Sequence, residues 1–399
     1  MTETNVLQPV AQHRIYSIDV LRGLVMVIMA LDHTRDFFHA EAFTRDPLDP
    51  ATTNILMYFT RFITHFCAPV FILLAGTSIY LQSLRKSKSE LSAFLFKRGL
   101  WLILVEVILI TFAWTFDFSY SIFILQVIWA IGICMVLMGI IIRLPYTLIL
   151  IAGLAIVFGH NILDVIPSTH QGFWWDLLHN GNFAFHEILP GHQITIIYPF
   201  LPWLGLMMLG YCSGKIYEPS VNPAFRKKLL LYTGTGLILF FILLRYINVY
   251  GDPLPWTLQD NTTSTVFSFL NVHKYPPSLL FMCITIGPAL IFLALFETTQ
   301  NKITRIISVY GKVPFFYYIL HFYILHTLCM FLFISRGHTF SEGIQDTAGI
   351  PFRFLIAGEG YSIGIVYLIW ILMVIALYPL CKWFSDMKRK HRHWWLSYL

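Results

Sequence analysis

Apolar residues fall in blocks of roughly 20 along almost the whole chain, separated by short polar stretches. About 20 such residues carry a helix across a bilayer. Ten blocks can be drawn, over about 18–38, 57–82, 95–116, 121–142, 145–163, 196–216, 228–249, 277–297, 308–334 and 361–384. The connections test the count. Arg85, Lys86, Lys88, Lys97 and Arg98 mark the one between blocks two and three, and Arg143 the one between four and five. Lys215, Arg226, Lys227 and Lys228 follow block six, Lys302, Arg305 and Lys312 follow block eight, and Lys388, Arg389 and Lys390 follow block ten. Every second connection is basic, so the positive-inside rule puts these, and both termini, in the cytoplasm. The alternate connections carry acids, histidines and aromatics, among them Asp164, Trp174, Trp175, His179, Asp252, Trp256 and His273. The pattern predicts an all-α integral membrane protein, a polytopic bundle of about ten transmembrane helices. A cytoplasmic tail over 1–17 and a basic one over 385–399 would flank a membrane domain at 18–384.

Composition supports that reading. The chain is 57% hydrophobic and 12% charged, with a mean hydropathy of +0.68; soluble domains carry about 25% charge. The net charge of +6 is accounted for by topology and does not point to nucleic acid. Six cysteines stand singly with no CxxC spacing, which supports neither a zinc ribbon nor a disulfide framework. The stretch FHEILPGH offers His186, Glu187 and His192, but the two histidines are six apart across Pro-Gly, a weak metal signal. No metal is expected.

The chemistry gathers at the end of the first block. MALDHTRDFFH holds Asp32, His33, Arg35, Asp36 and His39 in two helical turns. His33 and Asp36 are three apart and Asp32 and Asp36 four apart, so each pair shares a helix face, and Asp36 is the expected intrahelical partner of His33. His65 falls near the same depth in block two. Such groups are expensive in hydrocarbon and should face the bundle interior. Asp32, Arg35, Asp36 and Arg61 can equally be read as a structural ion-pair network. A histidine suits a general base near neutral pH. Arg22 lies about one turn inside block one, three residues after Asp19. Glu106 sits in the middle of block three with no evident role. His321 falls near mid-membrane in block nine, where a hydrogen bond to a neighbouring helix is the plainer reading. HKYPPS, 273–278, reads as the start of block eight, with Pro276 and Pro277 at a helix N-terminus and Lys274 and Tyr275 at the outer rim.

SIDVLRGLVMVIMALDHTRDFFH followed by THFCAPVFILLAGTSIYL resembles the bacterial DUF1624 family, related to the catalytic domain of heparan-α-glucosaminide N-acetyltransferase. YPFLPWLGLMMLGYCSGKIY, NVHKYPPSLLFMCITIGPALIFLALFE and VYGKVPFFYYILHFYILH fit as well, so the resemblance runs from about residue 14 to the tail. It implies an N- or O-acyltransferase of a broader transmembrane superfamily in a bacterial inner membrane. An acetyl group would pass from cytoplasmic acetyl-CoA, as co-substrate, to a hydroxyl or amine of a sugar or glycan-like acceptor at the outer face. In the related surface-sugar acyltransferases an essential His follows Arg-Gly, eleven residues after the Arg, which here is His33 after Arg22 and Gly23. In the glucosaminide enzymes the active His follows an aromatic pair, which here is His39 after Phe37 and Phe38. His33 ranks first.

On this reading His33 accepts the acceptor's proton or carries the acyl group, with Asp32 or Asp36 supporting its charge. Arg35, His65 or a group on block nine would polarise the thioester carbonyl. Arg22, Lys97, Arg98, Arg305 and Lys312 would grip the nucleotide end of CoA. Lys274, Tyr275 and Trp256 would meet the acceptor. A proton-coupled transporter or flippase is the alternative, although no internal symmetry is visible. The oligomeric state is open, a homodimer among the options.

Overall fold

In the computed structural model the described residues are 15–166, 172–345, 351–391, 393 and 396; most of the 1–17 tail and much of the end of the 385–399 tail lie outside them. A helix, or a helix pair, stands in each apolar block. They are α1 (Tyr16–Phe38), α2 (Ile55–Thr64) with α3 (Cys67–Ser83), α4 (Lys88–Val105) with α5 (Thr111–Thr115), α6 (Val127–Ile141) and α7 (Tyr146–Gly159). After α8 (Phe173–Leu178) come α9 (Phe200–Ser213), α10 (Pro223–Ile247), α11 (Thr262–Leu270) and α12 (Leu279–Leu295), then α13 (Lys302–Lys312), α14 (Pro314–Ser335), α15 (Phe340–Gly343) and α16 (Ile363–Lys390). Five stretches are long and apolar enough to cross a membrane: Ile55–Ser83, Tyr146–Val165, Pro223–Ile247, Pro314–Ser335 and Ile363–Lys390. Their outward faces are apolar. Leu239, Ile242 and Leu243 on α10 and Leu368, Leu372 and Ile375 on α16 are exposed, a pattern water does not tolerate and lipid does. The protein is a helical membrane protein.

Helix α1 is the axis of the bundle. Seventeen of its 23 residues are buried, as expected of a helix enclosed on all sides. It packs on α13, α14, α16, α2 and α3. Its crossing with α13 is close enough to touch backbone: a Cβ on Gly23 would lie 2.0 Å from the Ile307 carbonyl oxygen, and one on Gly311 1.9 Å from that of Asp19. Paired glycines make the same kind of approach at α3–α9 through Gly76 and Gly210, the small-residue packing that membrane helices use where no hydrophobic drive between helices exists.

The expected architecture needs four corrections. The chain is not all helix. Ile122–Leu125 (β1), Ala184–Leu189 (β2) and His192–Ile196 (β3) form a small sheet in the order β1-β3-β2, parallel between β1 and β3 and antiparallel between β2 and β3. Block four therefore begins its helix at Val127 rather than 121; apolar runs this short do not distinguish strand from helix. Block two breaks at His65 and Phe66, and block nine at Val313 ahead of Pro314. Block eight begins its helix at Leu279, where the Ser278 hydroxyl caps the Phe281 amide, so the two prolines lie in the preceding turn.

Two buried ionisable side chains set local shape. Glu106, fully buried, opens a π turn over Glu106–Ile110 and accepts a hydrogen bond from the Trp129 amide at 3.0 Å, so its carboxyl serves the N-terminus of α6. Arg245, 2% exposed at the end of α10, donates to the carbonyls of Leu254, Ser268, Phe269 and Asn271 at 2.6–3.1 Å and lies 3.6 Å from Asp252. Asp252 accepts from the His273 amide at 2.8 Å and the Ser278 hydroxyl at 2.7 Å. This knot shapes the connection 248–278 from within.

Candidate functional site

The last two turns of α1 form one wall of a cavity of about 950 Å³, with α2, the connection 42–50 and residues 271–275 around it. Asp32, His33, Arg35, Asp36, Arg61, His65, Lys274 and Tyr275 all line it. The size suits a small-molecule site. The break between α2 and α3 places His65 here, at the C-terminus of α2, with its Nδ1 buried and without a hydrogen-bond partner among the described residues.

The carboxylates are held by arginines. Arg61 Nη1 donates to both oxygens of Asp32, at 2.7 and 2.5 Å. Arg35 Nη2 donates to Asp36 Oδ1 at 2.6 Å and lies 3.4 Å from Asp32 Oδ1. The ion-pair network read from the sequence is present, and it uses Asp36 in a different way from the expected one: Asp36 pairs with Arg35, not with His33.

The partner of His33 comes from α14. His33 Nδ1 and His321 Nε2 are 2.7 Å apart, and His321 Nδ1 is 3.0 Å from the Tyr317 carbonyl oxygen. A carbonyl only accepts, so the His321 proton sits on Nδ1 and its Nε2 accepts in turn. In the neutral pair His33 therefore carries its proton on Nδ1. Its Nε2 is the basic nitrogen, the one available to the cavity. Phe322, with ring centroids 4.1 Å apart, and Trp114, at 5.5 Å, pack on the His33 ring and fix its plane.

His39 stands apart. It follows α1, does not line the main cavity, and borders a recess of about 20 Å³. Its Nδ1 accepts from the Glu41 amide at 3.2 Å. Burial pushes its pKa below the usual histidine range, with Arg35 adding to the effect and Glu41 opposing it. Tyr275 and Tyr198 face each other edge-on at 5.4 Å, and the Lys274 ammonium lies 5.0 Å from the Tyr275 ring centre. Burial works to raise the Tyr275 pKa, but Lys274 and Arg61 outweigh it and lower it. Trp256 packs on Phe269 at 5.4 Å and sits beside the cavity without lining it.

The five cations assigned to a nucleotide lie away from this cavity. Arg22 is ten residues before Asp32, about 15 Å along α1. It donates to the Gly311 carbonyl at 3.4 Å and the Ser78 hydroxyl at 3.3 Å, which ties α1, α13 and α3 together. Arg98 lies 5.5 Å from the Phe315 ring centre, joining α4 to α14. Lys97 and Arg305 are exposed and Lys312 is half-buried. In the outer connection His186 bonds Asp176 at 2.8 Å and His192 faces the Tyr120 carbonyl at 2.9 Å.

Two members of the site were not assigned to it from sequence. His321 was visible as a mid-membrane histidine, but no local pattern ties residue 321 to residue 33. Tyr198, which lines the cavity, sits in an aromatic stretch before Pro199 that reads equally as a membrane-interface anchor.

The helical bundle encloses a chamber lined by His33, His65 and arginine-held carboxylates, which defines a membrane protein with an ionisable site inside its bundle. Over residues 14–243, more than half of the chain, the sequence matches the family described as heparan-alpha-glucosaminide N-acetyltransferase, catalytic, and the chain belongs to that family. Membership implies transmembrane acetyltransferase activity. No curated protein matches the chain. The matched stretch supplies Asp32, His33, Arg61 and His65 to the cavity; Lys274 and Tyr275, which also line it, and His321, which bonds His33 from behind, come from beyond that stretch.

Proposed function

We propose that this protein is an acetyl-CoA-dependent acyltransferase of a bacterial cytoplasmic membrane, acting on a hydroxyl or amine of a sugar or glycan-like acceptor held in the cavity at the end of α1. The observation that carries the reading is the hydrogen-bonded chain from the Tyr317 carbonyl through His321 to His33, which leaves His33 Nε2 as a base in a chamber of acceptor size. His33 Nε2 takes the proton from the acceptor O–H or N–H as that atom bonds to the acetyl carbonyl carbon. As the C–S bond breaks, the imidazolium returns the proton to the departing sulfur, so no charge accumulates on either product. Arg61 holds Asp32 beside His33, and that carboxylate supports the transient imidazolium. His65 and Arg35 are the donors placed to meet charge developing on the carbonyl oxygen. The acetyl donor would approach from the opposite, basic end, past Arg98 and Lys312.

The test is direct. Purified protein in detergent should be stabilised thermally by acetyl-CoA and should release free CoA thiol slowly without acceptor, and faster when a hydroxyl- or amine-bearing sugar is supplied. A transporter or flippase would show neither stabilisation nor thiol release, and that result would remove the enzyme reading.

A further inference from the structure

Cations are more numerous than their partners in the cavity. Arg35 has Asp32 and Asp36, Arg61 has Asp32, Arg45 has Glu41 at 3.2 Å, and Arg245 has Asp252. Lys274 is different. It lines the same cavity at 9% exposure, and no carboxylate stands within 4.0 Å of it among the described residues. Asp32 acts on it only from a longer range, and both Asp32 oxygens are already taken by Arg61. Among the described residues its ammonium meets the Tyr275 ring and hydroxyl.

A buried ammonium with no counter-ion is costly. Nothing in the fold repays that cost, unlike Arg245, whose guanidinium is used up in holding backbone carbonyls. Lys274 does not cap a helix or bridge two elements; it stands in a turn just before Ser278, the cap of α12. Arg61 adds to the surplus, because it meets Asp32 through Nη1 alone and its remaining N–H groups have no partner among the described residues.

From this juxtaposition we infer that Lys274, with the Tyr275 hydroxyl and the free edge of Arg61, forms an anion-recognition subsite, and that the acceptor held in the cavity carries a carboxylate, sulfate or phosphate group. The inference rests on the cavity being the acceptor site. The anion would replace the missing counter-ion of Lys274, and its oxygens would take the remaining N–H donors of Lys274 and Arg61 beside the Tyr275 hydroxyl. Because the subsite lies on the connection held by Arg245 while His33 lies on α1, an acceptor gripped here by its charge would present its remaining hydroxyl or amine groups to the base. A neutral acceptor would leave the ammonium desolvated and unpaired, so selection operates through the cost of the wrong substrate as well as the gain from the right one.

Three probes of matched shape test this on the full-length protein in detergent, with binding followed by thermal stabilisation and calorimetry at constant ionic strength: D-glucose, D-glucuronate and D-glucose 6-phosphate. One or both anions should bind on the order of 10–100-fold more tightly than glucose, the range of a charge-assisted hydrogen bond. Lys274→Met should bring them to the level of glucose, and Lys274→Arg should retain a preference. Preference for the carboxylate over the phosphate, or the reverse, names the anion. Equal binding of all three by wild type, including no binding by any, overturns the inference, as does a preference that survives in Lys274→Met. The wild-type comparison decides the matter even if the Met variant does not fold. The readout is separate from turnover: an anion preference without thiol release from acetyl-CoA leaves the subsite standing and removes the acetyltransferase reading, whereas thiol release without anion preference does the opposite.

Discussion

Replacing His33 with Ala should lower acetyl transfer by roughly 10²–10⁴-fold, the usual contribution of a general base, while the protein still folds. The ring contributes little to packing that Phe322 and Trp114 cannot retain, and the substitution leaves His321 with its Tyr317 bond. His39→Ala should stay within about tenfold of wild type, because His39 borders a separate recess and its Nδ1 is engaged by the Glu41 amide. A base acting from His33 needs His321 only as a hydrogen-bond acceptor. Thus His321→Gln, whose amide oxygen can accept, should keep more activity than His321→Phe. Rates of CoA release in single turnover read all four variants. Full activity in His33→Ala would place the base elsewhere.

The largest loss of stability is expected from Arg245→Met. Removing the guanidinium leaves the Leu254, Ser268, Phe269 and Asn271 carbonyls without their donor and Asp252 buried without its cation. Breaking a buried charge pair from one side costs about 3–5 kcal/mol, and the lost carbonyl bonds add to that. Arg245→Lys should not rescue it. Three different guanidinium nitrogens donate to four carbonyls, and a single ammonium cannot reproduce that spread. Thermal unfolding in detergent measures the effect. Because the connection shaped by this knot carries Lys274 and Tyr275, acceptor binding should weaken in the same variant even below its melting temperature.

Block positions were legible in the sequence because hydrocarbon enforces them: a 20-residue apolar run has few alternatives to a helix. The breaks were not read: His65–Phe66 interrupts a run that stays apolar on both sides, whereas Val313 is marked by Lys312 and Pro314, signals that a count of apolar residues passes over. The sheet escaped because β1 and β3 are four and five residues long and sit at the edges of longer apolar runs. The site divides in the same way. The pairs His33 with Asp36 and Asp32 with Asp36 could each be placed on a shared face of α1 by counting residues, and His65 by depth. The pairing of His33 with His321 could not, because 288 positions separate them and no local pattern joins them. Helix spacing favoured Asp36 for His33. The structure gave Asp36 to Arg35 because an adjacent guanidinium in a desolvated site is the stronger partner for a carboxylate.

A structure of the protein bound to a non-hydrolysable acetyl-CoA analogue bears most directly on His33 as the base. The acceptor atom must lie about 3 Å from His33 Nε2 and about 3–3.5 Å from the acetyl carbonyl carbon. That carbon should therefore appear within about 6.5 Å of Nε2, at the wall of the cavity, with the nucleotide toward Arg98 and Lys312. An acetyl group bound beside His39, or one separated from the cavity by an unbroken layer of side chains, would contradict the mechanism.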